Sequence, residues 1–170
     1  MSVINDMEIK PKVGDVFLIP LDNTFAAGGI VISIWEGEEL YLAVFNQRLS
    51  LNETDSIAAT NGQPALLALT LDAKFWHGNW RIIGNQASLV GQYPQPNFKV
   101  KHAGVMSLVS RDRSVCRPAS QDDLEILRYR SVAAPAIIED AIKAYFGIGQ
   151  WDEDNDELLA DYAIASSKLL

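Results

Sequence analysis

Three apolar runs, Val16–Leu21, Ile30–Trp35 and Leu40–Phe45, are separated only by turn-forming segments. Each is too short for a stable helix and rich in β-branched and aromatic residues, which predicts strands. Asp22-Asn23 ends the first run, and Gly28-Gly29 opens the second. Glu36-Gly37-Glu38-Glu39 reads as a hairpin turn, with Gly37 able to take positive φ. Connections this short cannot cross over a sheet, so the three strands form an antiparallel meander. A meander this apolar must hide its faces, either by closing into a small barrel or by packing on helices.

Residues 1–10 read as a mobile lead-in, and residues 46–63, polar and turn-rich, as loop. Ala65–Leu71 suits a strand or a buried helical segment, with strand preferred. Asn79–Gly84 is a further strand. Tyr93-Pro94-Gln95-Pro96-Asn97 reads as a surface connection, because two close prolines suit neither helix nor central strand. Phe98–Val109 and Ser114–Arg117 are strand candidates, with Arg111-Asp112-Arg113 as a turn. At Ser120 the pattern changes. Ser120 with Asp122 and Asp123 forms a helix N-terminus, and Leu124, Ile126, Leu127 and Tyr129 give that helix an apolar side. Pro135 opens a second helix with a stripe of Ala136, Ile137, Ala141, Ile142, Ala144, Tyr145 and Phe146, ended by Gly147 and Gly149. A third is expected from about Asp154, with Asp154 and Glu157 at capping-box spacing and Leu158, Tyr162, Ala165 and Leu169 on one face. The class is α+β: an N-terminal antiparallel sheet or small barrel-like meander, then about three helices. Residues 1–170 are read as a single domain, mainly β over 11–119 and helical over 120–170.

With 48% hydrophobic and 21% charged residues, the chain can bury a core without staples. No basic, then apolar, leader opens it. Its longest uncharged apolar run, Gly62–Leu71, is too short to span a bilayer and contains Pro64. The single Cys116 cannot form an internal disulfide, which suits a reducing cytoplasm. Charge is unevenly placed. Residues 1–119 hold 11 acidic and 10 basic residues, whereas residues 120–170 hold 11 acidic and 4 basic. The densest stretch is Asp152, Glu153, Asp154, Asp156 and Glu157. Such a field disfavours direct nucleic-acid binding and attracts a basic protein partner. It also serves as a solvated face that keeps the protein soluble. Trp151, beside this run, is either an interface anchor or a staple of the last helix.

Little in the chain points to catalysis. His77 and His102 have no second ligand at metal-binding spacing, so each is read as structural or solvent-exposed. Gly28-Gly29 and Gly147-Ile148-Gly149 are explained by turn and cap roles. Cys116, beside Arg117 but without a matching His, is expected to be buried and apolar. Glu36, Glu38 and Glu39 sit in the expected hairpin turn, too solvated for acid/base work. Trp80 belongs to a strand and is assigned to the core, while Trp76 suits core or interface equally. No catalytic residue, metal or cofactor is assigned.

Lys12-Val13-Gly14-Asp15-Val16-Phe17-Leu18-Ile19-Pro20-Leu21, then Ala26-Ala27-Gly28-Gly29-Ile30-Val31, then Phe75-Trp76-His77-Gly78-Asn79-Trp80-Arg81-Ile82-Ile83-Gly84, resemble the immunity protein 26 family. Arg117-Pro118-Ala119-Ser120 and Asp122-Asp123-Leu124 resemble the start of that family's helical tail. The resemblance implies a cytoplasmic immunity protein of a bacterial polymorphic toxin system. Such a protein binds and neutralises its toxin stoichiometrically and without a cofactor. It supplies no contact residues. Its shared positions look like fold determinants, Gly14 and Gly84 in turns and Phe17 and Trp80 in the core. The leading expectation is that Trp151, Asp152, Glu153, Asp154, Asp156 and Glu157 meet a basic toxin domain, such as a nuclease. The alternative is a small-barrel module binding a ligand or peptide without catalysis. A hydrolase would require His77, His102 and a carboxylate to converge. Oligomeric state is left open.

Overall fold

In the computed structural model, which describes residues 9–170, the three apolar runs become β1 (Asp15–Pro20), β2 (Phe25–Trp35) and β3 (Glu39–Ser50). Residues 1–8 of the expected lead-in lie outside the described residues. β1 and β2 pair antiparallel with Val16 opposite Ile30, and β2 and β3 with Ile30 opposite Ala43. β4 (Pro64–Thr70) settles the 65–71 segment as strand, and β5 (Arg81–Asn85) follows the short helix α2 (Ala73–Trp76). The sheet order is β4-β3-β2-β1-β5. β4 and β5 lie at opposite ends and do not pair, so the sheet hides its faces by packing and not by closing.

Two expectations around β2 and β3 are corrected. β3 runs past Phe45 to Ser50, because Phe25, Ala26 and Ala27 pair with Ser50, Leu49 and Arg48. Within the expected loop, residues 56–59 form the short helix α1, whose Asp55 carboxylate accepts from the Ile57 amide at 2.9 Å. Gly28 and Gly29 are not a turn but the middle of β2. A Cβ on Gly28 would collide with the Ala59 carbonyl of α1, and one on Gly29 would meet the Phe17 ring. Gly84 is likewise a strand residue, paired with Val16 and pressed against Ser56. Gly14, with φ +87°, does hold a turn. We expect Gly28→Ala to cost about 1–3 kcal/mol through overpacking, read as a lower urea midpoint at unchanged m-value.

A second antiparallel sheet contains β6 (Asn97–His102), β7 (Val105–Ser110) and β8 (Cys116–Pro118), in that order. The segment before it is no surface connection. Tyr93, Pro96 and Asn97 are buried. The Tyr41 hydroxyl donates to the Pro94 carbonyl at 2.5 Å, and the Asn97 amide donates to the Ser166 carbonyl at 2.9 Å.

The chain then turns helical at Ser120. α3 (Gln121–Ile126) is closed by a capping box: the Ser120 hydroxyl accepts from the Asp123 amide, and the Asp123 carboxylate accepts from the Ser120 amide. Arg117 donates to the same carboxylate at 2.7 Å and, with the Ser120 amide, holds its pKa down at about 2. Of the expected apolar side, Leu127 is buried, Leu124 half-buried, and Ile126 and Tyr129 are exposed. α4 (Pro135–Tyr145) starts on Pro135, and Gly147 follows its end with φ +84°. It buries Ile138, Ala141 and Ile142, whereas Ile137 and Tyr145 from the expected stripe are exposed.

The expected third helix is broken in two. Glu153–Leu158 form a 3₁₀ turn capped by Asp152, not Asp154, and α5 (Ala160–Ser167) begins afterwards. Leu159 is extended (φ −62°, ψ 143°) because its backbone bridges Leu66 of β4. That interruption resets the phase: Ala160, Ala163 and Ser166 face inward and Ala165 is exposed.

Both faces of the large sheet are covered, which is why its strands lack polar alternation. On one face Phe17 stacks with Trp80 at 5.6 Å and meets Phe75 edge-on at 4.8 Å, beside Ile138, Ala141 and Ile142. On the other, Val16, Ile30, Tyr41 and Phe45 pack with Tyr93, with Phe98 and Val109 of the second sheet, and with Ala160 and Ala163 of α5. The tail also holds β4 directly. Leu159 bridges Leu66, Ala133 bridges Thr70, and the Thr70 hydroxyl donates to the Ala133 carbonyl at 2.7 Å. Among the described residues, no helix is long and apolar enough to cross a membrane.

Candidate functional site

The acidic segment forms one short, organised turn. Three residues per turn set Glu153 above Asp156 and Asp154 above Glu157, so the carboxylates project in two ridges. Asp152 accepts from the Asp154 amide at 2.9 Å, Asp156 from the Trp151 indole at 2.7 Å, and Glu157 from the Ser131 hydroxyl at 3.1 Å. Buried Leu158 anchors the turn. Glu153 and Asp154 are exposed, and their carboxylates make no hydrogen bond or ion pair among the described residues. An open cleft of about 270 Å³ is lined by Arg128, Glu153, Asp154, Asp156 and Glu157, with Arg128 as its one cation. This surface suits an incoming Lys or Arg, since each carboxylate offers acceptors and no donor.

Trp151 is half-buried, packed against the apolar cluster that includes Ile142 and Leu158, with its indole N–H tied to Asp156. Trp80 lies in the core as expected. Trp76 is 40% exposed, and its indole donates to Asp72 at 3.0 Å. His77 and His102 are exposed, at the end of α2 and of β6, and neither makes an ion pair among the described residues. No group of three or more His, Cys, Asp or Glu is placed to hold a metal ion among those residues. Cys116 is exposed, contrary to the expected burial, because β8 lies at the border of the second sheet.

Glu39 departs furthest from expectation. It belongs to β3 and not to the turn, and only 8% of its surface is exposed. Arg111 donates to its carboxylate at 3.0 Å and to its backbone carbonyl at 3.2 Å. Arg130 donates to both carboxylate oxygens. Among the described residues, neither guanidinium Nε has a partner. One buried acid thus joins the large sheet to the end of β7 and to the connector before α4. Nothing local marks it, since Glu36 and Glu38 beside it are exposed.

Cavities bear on the ligand-binding alternative. The mainly apolar cavity among Leu67, Leu69, Phe98, Leu158 and Tyr162 has about 20 Å³, room for one water. Clefts of about 450 Å³ beside Trp35 and beside Tyr93 are open to solvent.

In comparison with known proteins, a family model described as Immunity protein 26 matches residues 12–105, more than half of the chain. No curated protein and no solved structure matches it.

Proposed function

The chain belongs to the immunity protein 26 family, and we propose that it neutralises a bacterial toxin by binding it one to one, without catalysis. The acidic turn, Asp152 to Glu157 with Trp151 at its base, is the contact surface in this reading. A basic toxin domain, such as a nuclease, is drawn to it and has its active site covered. The observation carrying this is the exposed, unpaired state of Glu153 and Asp154 on a turn held rigid by its own hydrogen bonds. A backbone fixed before encounter leaves only the Glu153 and Asp154 side chains to be ordered on binding. The reading places the chain in the cytoplasm and treats residues 1–170 as one domain, the latter because both apolar clusters draw on the sheet and on the tail.

The test replaces the five acids together by amides (D152N, E153Q, D154N, D156N and E157Q). Each amide keeps an acceptor oxygen for the Asp154 amide, the Trp151 indole and the Ser131 hydroxyl, so the turn persists. With the cognate toxin domain, to be sought among the genes neighbouring this chain's own, the association rate should fall about tenfold or more and lose much of its salt dependence. An unchanged rate and salt slope would remove the acidic turn from the interface. Turnover by the purified chain, abolished by one substitution in a cleft, would refute inhibition without catalysis.

A further inference from the structure

Asn61, in the connection between α1 and β4, is the one asparagine of the chain that a glycine follows. It is exposed, and its side chain makes no hydrogen bond among the described residues. Among those residues the Gly62 amide has no acceptor either. The amides on both sides of it are engaged. That of Asn61 donates to the Ala58 carbonyl at 3.4 Å, and that of Gln63 to the Asn46 side-chain oxygen at 3.1 Å.

Packing calls for the glycine. A Cβ at position 62 would stand 2.9 Å from the Asn46 side-chain oxygen and 3.3 Å from the Gln47 Cβ. The chain is pinned just beyond it, because the Asn46 amide also donates to the Gln63 carbonyl at 2.9 Å. The exposed asparagines Asn23, Asn52 and Asn79 differ on both counts. They are followed by Thr24, Glu53 and Trp80, whose side chains crowd the backbone nitrogen. Each of those three amides is also hydrogen-bonded, to the Asp22 carboxylate, the Ser50 carbonyl and the Lys74 carbonyl respectively.

We propose that Asn61 is a site of spontaneous modification, converting to aspartate and isoaspartate through a succinimide shared with Gly62. The Gly62 nitrogen gives up its proton and bonds to Asn61 Cγ. The bond from Cγ to the side-chain nitrogen breaks, and that nitrogen leaves as ammonia with the proton. Water then opens the ring. Attack at the side-chain carbonyl returns a normal backbone with aspartate, and attack at the main-chain carbonyl leaves isoaspartate. No oxidant or reductant is needed. The free amide matters because no hydrogen bond has to be broken before the nitrogen reacts. The missing Cβ matters because glycine lets the backbone swing toward Cγ without a clash. Each conversion adds a negative charge to a chain of net −8. Isoaspartate also lengthens the backbone by one carbon between β4 and α1, whose Ala59 carbonyl abuts Gly28.

The test ages the folded full chain in weakly alkaline buffer and follows it by peptide mapping and by labelling with an isoaspartyl methyltransferase. The peptide carrying Asn61 should gain the mass that separates a hydroxyl from an amino group and become methylated. It should do so ahead of the peptides carrying Asn23, Asn52 and Asn79, and faster as pH rises, because the attacking nitrogen must lose its proton. Asn61→Gln should abolish the labelling at this site, since the longer side chain closes a larger ring slowly, and its exposed position leaves the fold intact. Gly62→Ala should slow the reaction by roughly tenfold or more, which corresponds to about 1.4 kcal/mol on the barrier. Equal ageing at Asn23, Asn52 or Asn79 would overturn the proposal. So would an Asn61 that stays intact in the folded chain and reacts only in urea, because the folded backbone would then withhold the nitrogen.

Discussion

Glu39→Ala should cost about 3–5 kcal/mol, the loss typical when one partner of a buried ion cluster is removed. Arg111 and Arg130 would then remain as two buried cations with no counter-ion, their side chains only 4% and 6% exposed. The damage comes from the charges left behind and not from the missing methylenes. Glu39→Gln therefore separates the causes, since it preserves shape and some hydrogen bonding but removes the negative charge, and it too should destabilise strongly. Replacing all three residues by apolar ones of similar volume should be far milder, because no uncompensated charge survives. Guanidinium or urea titration of the three variants decides the matter. A loss under about 1 kcal/mol for Glu39→Ala would mean that water reaches the guanidiniums and that the cluster is not a structural tie.

Phe17→Ala should cost about 3–5 kcal/mol by opening a cavity in the aromatic cluster. Phe17 is fully buried, and its ring contacts two others that cannot slide to fill the gap, Phe75 edge-on and Trp80 stacked. Close packing makes such a site slow to collapse. Gly29 supplies an internal control. A methyl there meets both the Phe17 ring and the Ala43 carbonyl, so Gly29→Ala alone should be destabilising, and the part of its cost that comes from the ring should disappear once Phe17 is already Ala. Additive effects in that double-mutant cycle would show that the two positions do not compete for the same space.

The strands and helices that read correctly did so for local reasons. β1, the middle of β2 and the start of β3 are apolar runs with turn residues between them. The helix N-terminus at Ser120 and the start at Pro135 are written within four residues each, whereas the capping-box spacing of Asp154 and Glu157 marked no cap, since Asp152 caps that turn. What escaped was written across the chain. Glu39 meets partners 72 and 91 residues away, so its own neighbourhood, with two exposed glutamates, pointed to solvent. The extension of β3 through Asn46-Gln47-Arg48 carries no apolar signal and exists because Ala26 and Ala27 lie opposite. The broken last helix has no Pro or Gly at Leu159; a backbone bridge from β4 makes the break. The acidic turn was legible as charge density, and its internal bonds were not. The basic character of the second sheet is hidden in the charge balance of residues 1–119, because acids elsewhere offset its lysines and arginines.

The two bridges from the tail to β4 have a consequence for solution behaviour. A strand at the margin of a sheet offers unpaired amides and carbonyls to any neighbouring chain, and Ala-Leu-Leu-Ala-Leu-Thr is uncharged and apolar enough to accept one. Leu159 and Ala133 occupy the two ends of that row from within the same molecule. The helical region thereby also acts as a guard against polymerisation, and shortening it before Ala133 would leave β4 as a template for fibrous growth.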